Sequence, residues 1–351
     1  MRSRLLPLPL FLSLSILTSC GPSRTQVQQI PPGSLERLTQ ALKDPDPEVR
    51  ANAVTALSAI GPKARPALPS LIRIFEDEKE ESHIRIQAAR AAAAIGVDAR
   101  STMRALIQTL QGSEETVRSQ TAQTLGRLGS SAAEAVPALV ALLKDKAPSV
   151  RDSAAVALGG IGPAASEAVP DLVEALKDPV PAVRMNAADA LGKIGARDPA
   201  AVAALAQVLT DSSVFVRMNA ADALGKIRQP EEAALDGLIR ALRDSDGRVR
   251  SNAAAAIAQM GPSAQKAVPA LLEALKKGEN SSVRVRAAEA LGAVGPSAKE
   301  AVPVLLTAAL EDPDKWVRSR SAQALERIGT KEAQEGVKRY QKKEIRRSQK
   351  R

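Results

Sequence analysis

The chain is poor in the residues on which most enzyme sites depend. Its 351 residues include one histidine, His83, and one cysteine, Cys20. Zinc and iron sites usually draw on several histidine or cysteine side chains, so this composition predicts no metal and no cofactor. A nucleophilic triad needs a histidine beside the nucleophile, and the carboxylates stand at repeating positions with no acid–base pair set apart. We therefore do not expect an enzyme.

Aromatic side chains are equally scarce. Phe, Trp and Tyr together make up 1% of the residues. Proteins that hold single-stranded nucleic acid or sugars stack aromatic rings against the bases or the sugar rings. The scarcity of rings therefore predicts no nucleic-acid partner and no carbohydrate platform.

What the sequence contains instead is a repeat. The 12 residues from Val183 to Ile194 recur without change from Val216 to Ile227, at an offset of 33 positions. A Val-Arg or Ile-Arg pair marks nine such units. Its arginines are Arg50, Arg85, Arg118, Arg151, Arg184, Arg217, Arg250, Arg284 and Arg318. A period of about 20 to 50 residues predicts stacked units rather than one globular core.

Each unit is expected to contain two helices. After the arginine, paired small residues, Ala, Leu and an apolar residue recur at helical spacing, which predicts a buried second helix that neighbours approach closely. Upstream, an apolar run that ends in a charged turn predicts the first helix. Prolines such as Pro163 and Pro170 lie seven residues apart, so we expect the first helix of each unit to be bent. The predicted fold is an all-α solenoid of nine two-helix repeats and a C-terminal half-repeat.

An aspartate stands six residues before the arginine in most units. The turn between the two helices separates these residues, so we expect carboxylates and guanidiniums to tie successive turns into a charge ladder. An anion-binding row of arginines is the alternative. Gly112 and Gly278 replace the aspartate in the third and eighth units, and the second unit has a longer turn after Asp77. The ladder should be weakest in these three units.

Together these features resemble HEAT repeats. The motif Val-Arg-x-x-Ala-Ala-x-Ala-Leu-Gly-x-Ile-Gly, the Asp-to-Arg spacing and the bent first helix are similar to the short repeats first associated with phycobilisome bilin lyases. The resemblance extends over residues 34–345 and implies a scaffold or adaptor, with a bilin lyase or a deoxyhypusine hydroxylase as the alternative. Those di-iron hydroxylases carry His-Glu pairs, whereas Ile84 follows the one histidine here.

Residues 1–19 are typical of a bacterial lipoprotein signal peptide. Two arginines precede an apolar stretch that is too short to span a bilayer, and Leu17-Thr18-Ser19-Cys20 resembles a lipobox. The resemblance implies cleavage before Cys20 and acylation of that residue, which gives lasting membrane attachment. Gly21 favours the outer membrane facing the periplasm if the cell is Gram-negative. An ordinary signal peptide with an incidental cysteine is the alternative.

The rest of the chain divides into a lipidated tether at 20–33, the solenoid at 34–329, and a capping helix with a basic tail at 330–351. As a flexible coil the tether would span on the order of 20 Å. Residues 338–351 include eight basic residues and one acidic residue, and the net charge of the whole chain is +10. Such a tail is suited to anionic lipid or an anionic envelope polymer. A solvated, partly disordered end is the alternative.

We expect the binding surface to be the concave face. In solenoids of this kind the second helices line that face, with positions two, five and nine after each arginine exposed. In the two identical segments these residues are Asn186, Asp189, Lys193, Asn219, Asp222 and Lys226. Their amides are suited to an extended peptide backbone; the alternative is that the identical triplets merely reflect a recent duplication. The expected function is a membrane-anchored, non-catalytic scaffold in the bacterial cell envelope that binds a protein partner of unknown identity.

Overall fold

The computed structural model describes residues 33–96, 100–229, 231–278 and 280–349. Within these ranges the chain forms 19 α-helices and no strand. The first helices of the nine repeats are α1 (Ser34–Ala41), α3 (Leu68–Glu76), α5 (Arg100–Thr109), α7 (Val136–Leu142), α9 (Val169–Ala175), α11 (Pro199–Gln207), α13 (Glu232–Ala241), α15 (Val268–Lys277) and α17 (Val302–Glu311). The second helices are α2 (Pro47–Ile60), α4 (Ser82–Gly96), α6 (Glu115–Arg127), α8 (Pro148–Ile161), α10 (Pro181–Ile194), α12 (Val214–Ile227), α14 (Gly247–Met260), α16 (Ser281–Val294) and α18 (Lys315–Ile328). A final helix, α19 (Lys331–Ser348), follows the ninth pair.

The expected all-α solenoid of nine two-helix repeats with a terminal helix is therefore confirmed. The signal peptide, Cys20 and all but the last residue of the tether lie outside the described residues. In the part of the chain that the structure describes, no helix combines the length and the apolarity needed to cross a bilayer.

The second helices form the more closely packed row of the stack. For example, α10 packs along its length against α8 and α12, whereas the first helix α9 contacts its neighbour α11 much less. The apolar stripe of each second helix, such as Val183, Leu191 and Ile194, is buried between these rows. Closer packing of one row makes a stack curve toward that row, so we infer that the second helices line the inner side and call them the inner row.

A glycine eight residues after the marker arginine permits this close packing. A Cβ atom built on Gly192 would lie 2.7 Å from the Cα of Ala223 in the next repeat, so only glycine fits without movement. Equivalent contacts join Gly126 to Ala157, Gly159 to Ala190, Gly225 to Ala256 and Gly292 to Ala324. The paired alanines that were expected to give this approach, such as Ala187 and Ala188, lie in the core. In the ninth repeat the glycine is replaced by an exposed Glu326, and no second helix follows.

The first helix is bent only in some repeats. Seven-residue 3-10 segments precede α3, α7, α9, α15 and α17. In α9 the proline at position 170 is the second residue of the α-helix, where its missing N–H is not needed, and the bend lies at Ala165 in the 3-10 segment. The helices α5, α11 and α13 begin without such a segment. The expectation of a bend in every repeat was therefore wrong, because these three repeats lack the second proline.

The helix α19 closes the stack. Thr330 caps it, since its hydroxyl accepts the N–H of Ala333 at 3.2 Å. Ala333, Gly336 and Val337 are buried where α19 packs against α17 and α18. The basic tail is thus helical as far as Ser348, rather than a disordered end.

Candidate functional site

The marker arginine of most repeats binds the turns of two successive repeats. Arg184 Nε lies 2.7 Å from Asp211 Oδ2, and its Nη2 lies 2.9 Å from Asp211 Oδ1. Arg184 Nη1 donates to the backbone carbonyl of Asp178 at 2.7 Å. The carboxylate therefore belongs to the following repeat, and the aspartate of the arginine's own turn contributes only its carbonyl. The ladder thus ties successive turns together as expected, and its carboxylates come from the following repeat.

Most repeats share this geometry. Equivalent pairs are Arg118 with Asp145, Arg151 with Asp178, Arg217 with Asp244 and Arg284 with Asp312. The Arg184 and Asp211 side chains are only 12% and 10% exposed. Such guanidiniums point into the turns and have little free surface for an outside anion. The structural ladder is therefore favoured over the anion-binding row.

The ladder weakens where the aspartate is missing. Arg85 faces the third repeat and lies 3.5 Å from Glu114. Among the described residues no carboxylate pairs with Arg250, which faces the eighth repeat and donates only to backbone carbonyls. Both weak junctions confirm the prediction. The second repeat contradicts it, because Glu80 replaces the aspartate and binds Arg50 with two bonds of 2.6 and 2.8 Å.

The ladder lowers the pKa of its aspartates. Burial by itself raises the pKa of the Asp211 carboxyl. The bonds from Arg184 and from the backbone N–H of Ser213 outweigh burial, so the pKa lies below its ordinary value. The pKa values of Asp145, Asp178 and Asp244 are lowered for the same reasons. These carboxylates stay charged in the folded state.

Four of the six candidate side chains form one charge cluster on the inner row. Asp189 is in α10 and is approached by two lysines, with Lys193 Nζ 2.6 Å from its Oδ2 and Lys226 Nζ 3.3 Å from its Oδ1. Lys226 also lies 2.7 Å from Asp222 Oδ2 in α12. The four side chains are between 24% and 48% exposed, so the cluster is open to solvent.

The two candidate amides make other bonds. Asn186 donates to Asp152 Oδ1 of the preceding repeat at 2.6 Å, and Asn219 donates to the backbone carbonyl of Phe215 at 2.9 Å. Asn252, one repeat further, donates to the carbonyl of Met218 at 3.2 Å. Each of these amide nitrogens therefore already uses one of its two N–H groups within the array.

Comparison with known families decides what kind of array this is. The profile of HEAT repeats matches residues 35–103, 103–167, 163–217, 196–258 and 268–348. The chain belongs to the HEAT-repeat family. The profile of the PBS lyase HEAT-like repeat matches residues 249–277 of this HEAT array. No curated protein sequence matches the array.

Solved structures with the same fold include an engineered protein and karyopherins. The engineered protein is 24% identical, with a TM-score of 0.56 over 87% of this chain and 92% of its own. Kap95p, whose binding induces the switch loops of RanGDP to adopt the GTP-bound conformation, is 16% identical, with a TM-score of 0.66 over 88% of this chain and 47% of its own. A Kap121p mutant is 19% identical, with a TM-score of 0.62 over 84% of this chain and 37% of its own. The HEAT array thus spans less than half the length of these karyopherins, and the likeness concerns the fold.

A second charged group on the inner row was not among the predicted site residues. Glu289 Oε2 lies 2.9 Å from Arg286 Nη1, and its Oε1 lies 3.0 Å from Arg320 Nε in the next repeat. The signal was present in the sequence, because these residues occupy positions five and two after their arginines, as the predicted residues do. The acidic side chain five residues after the marker arginine thus bridges cations of two repeats at two places, Asp189 and Glu289.

Within the part of the chain that the structure describes, the lone histidine has one acidic neighbour. His83 is in the first turn of α4, where its Nδ1 lies 3.3 Å from Glu81 Oε2 and its side chain is 59% exposed. Among the residues that the structure describes, no group of three or more His, Cys, Asp or Glu side chains is placed to hold a metal ion.

Proposed function

We propose that this HEAT array is a lipid-anchored, non-catalytic scaffold that binds another protein through the inner row of its second helices. The observation that carries the proposal is the charge cluster of Asp189, Lys193, Asp222 and Lys226 near the middle of that row. Stacked repeats offer an extended curved surface rather than a closed pocket, which suits a polypeptide partner.

The cluster is suited to exchange its bonds with a partner. Ion pairs that are this exposed contribute about 0–1 kcal/mol each, so replacing them with bonds to a partner costs little. Charges of both signs alternate along the row and favour a partner segment that also carries both signs. Kap95p with RanGDP and Kap121p with the C-terminus of the phosphatase Cdc14p are proteins of the same fold that bind proteins.

Charge reversal tests the surface. The variant Asp189→Lys with Asp222→Lys places repulsive charges beside Lys193 and Lys226, and we expect it to lose partners that the parent protein retains after crosslinking in cells and identification by mass spectrometry. The matched control is Glu134→Lys with Glu167→Lys.

Both control residues are exposed in 3-10 segments beside the first helices, and the change in net charge is the same. We expect the control to retain the partners. Equal recovery of the same partners by both variants would show that the inner row is not the binding surface. A purified protein with stoichiometric iron would overturn the non-catalytic part of the proposal.

The anchor is a separate part of the proposal and rests on the lipobox at Cys20. Acyl chains on this residue would hold the array at the cell envelope, in the outer membrane facing the periplasm if the cell is Gram-negative. Labelled palmitate should be incorporated into the parent protein and not into Cys20→Ser. Label that persists in the variant would exclude acylation at this cysteine.

A further inference from the structure

The outward face of α19 is basic from Lys338 onward. From there to Arg346 its exposed cationic side chains are Lys338, Arg339, Lys342, Lys343 and Arg346. At about 100° per residue they fall within about 140° of the helix circumference, so they share one face. Among the described residues no carboxylate pairs with any of the five. From Lys338 to Arg346 this face therefore carries only positive charges, whereas the exposed Glu332 and Glu335 lie on the same side in the preceding turns.

The opposite face holds the helix in place. Val337 is buried and Tyr340 packs against the core of the last repeat. Glu344, the one acidic residue of the tail, turns inward and accepts from Arg318 at 3.0 Å and from Arg347. Arg347 also donates to the backbone carbonyl of Leu310 at 3.1 Å. The inward contacts use the acidic residue and fix the orientation of the helix, so the basic face points away from the array.

Two large apolar side chains are exposed at the same end of the molecule. Ile345 is 58% exposed and borders the basic face, one turn from Lys342 along the helix. Trp316 is 57% exposed in the first turn of α18. Its neighbour Lys315 lines one cleft with Glu344 and Ser348, so this turn lies beside the C-terminal end of α19. Cations beside exposed aromatic and aliphatic side chains are typical of helices that lie on a membrane surface.

We propose that the basic face of α19, with Ile345 and Trp316, docks on a bilayer that contains anionic phospholipids. The cations would contact the headgroup phosphates while the apolar side chains enter the boundary between headgroups and acyl chains. A soluble polyanion would neutralise the cations but offers no apolar region for Ile345. The proposed contact lies at the C-terminal end of the array and is independent of the scaffold function.

Vesicle binding tests the proposal. The chain from residue 20 onward, with Cys20→Ser and without the apolar residues 1–19, is mixed with phosphatidylcholine vesicles that either contain or lack phosphatidylglycerol. We expect cosedimentation only with the anionic vesicles, a loss of binding as salt is raised, and a blue shift in the fluorescence of Trp316, the single tryptophan. Equal binding to both vesicle types, or to neither, would overturn the proposal.

Neutralising variants locate the contact. With Lys338→Gln, Lys342→Gln and Arg346→Gln together we expect affinity for anionic vesicles to fall about 100-fold, at about fivefold per cation. Glutamine is a good helix former, and far-UV circular dichroism checks that the fold is retained.

The matched control is Lys43→Gln, Lys63→Gln and Lys79→Gln, which removes three exposed cations at the other end of the array. We expect the control to bind like the parent. An equal loss in both variants would show that net charge, and not α19, governs binding.

The Ile345→Gln variant distinguishes a bilayer from a soluble polyanion. We expect it to weaken vesicle binding about tenfold, because an apolar side chain no longer leaves water. Binding to sodium polyphosphate, which the cations also permit, should not change. If Ile345→Gln leaves vesicle binding intact while polyphosphate binds the parent as tightly as vesicles do, the partner is a polyanion and the bilayer proposal fails.

Discussion

Removing one carboxylate of the ladder should loosen the array at one junction. In Asp211→Ala, Arg184 loses bonds of 2.7 and 2.9 Å and the N–H of Ser213 loses an acceptor at 2.8 Å. Because the Arg184 side chain is only 12% exposed, little water can replace these bonds. Breaking a fully buried pair costs about 3–5 kcal/mol and breaking an exposed one about 0–1 kcal/mol. We expect Asp211→Ala to lower the free energy of unfolding by an amount between these limits, about 2–3 kcal/mol.

Urea unfolding followed by far-UV circular dichroism measures this loss. Stability in a repeat array is approximately the sum of unit and interface terms, so weakening one interface should also broaden the transition. Hydrogen exchange with mass spectrometry should then show faster exchange in α10 and α12 than in the parent protein. The more distant helices should exchange as before.

Two comparisons make the test decisive. Asp211→Asn keeps an oxygen acceptor for Ser213, so it should cost less, about 1 kcal/mol. Glu174→Ala removes a carboxylate from an ion pair with Lys177 whose side chains are 67% and 66% exposed, and it should cost under about 0.5 kcal/mol. The reasoning is refuted if Asp211→Ala is no more destabilising than Glu174→Ala.

Three further predictions follow from the same contacts. Gly192→Ala should lower the free energy of unfolding by about 1–3 kcal/mol, because its Cβ would lie 2.7 Å from the Cα of Ala223; an unchanged urea midpoint would contradict this. Gly112→Asp should raise the free energy of unfolding by about 1 kcal/mol. In the parent protein Arg85 lies 3.5 Å from Glu114, and the variant would give it a carboxylate at the usual ladder position. A lower thermal midpoint would count against the ladder. Since the folded pKa of Asp211 lies below its ordinary value of 3.8, the stability it contributes is present above about pH 4 and is lost as the pH falls further. The urea concentration at the unfolding midpoint should therefore decrease as the pH is lowered below about 4, and it should decrease less steeply in Asp211→Asn. An equal dependence on pH in both proteins would show that the ladder is not the cause.

The helix pairs were predictable because the apolar pattern repeats with the period of the fold. Val183, Leu191 and Ile194 recur at helical spacing and are buried as predicted. The partner of Arg184 was not predictable from the same pattern. Sequence spacing relates Arg184 to the aspartate of its own turn, whereas the carboxylate that it binds depends on how far one repeat is displaced along the stack. The packing role of Gly192 depends on the same displacement.

The sequence predicted which residues form the candidate site, but it did not predict which of them contact each other across repeats. Asp189 and Lys193 are four residues apart on one helix, so their contact follows from helix geometry. The contact of Lys226 with Asp189 crosses between repeats, and so does the bond of Asn186 to Asp152. Contacts of this kind require the relative position of neighbouring helices.

The contacts between repeats also determine how the array can change in length. In the middle repeats the marker arginine binds an aspartate of the following repeat, and the glycine eight residues later packs against an alanine of that repeat, so these contacts do not depend on the repeat number. Excision of residues 184–216 would join Val183 to Arg217 and recreate the original sequence at the seam. Every rung and every close helix contact at the seam would find an equivalent partner. The distance between the two ends of the molecule can therefore be adjusted in steps of one repeat, roughly 10 Å each, without any new interface.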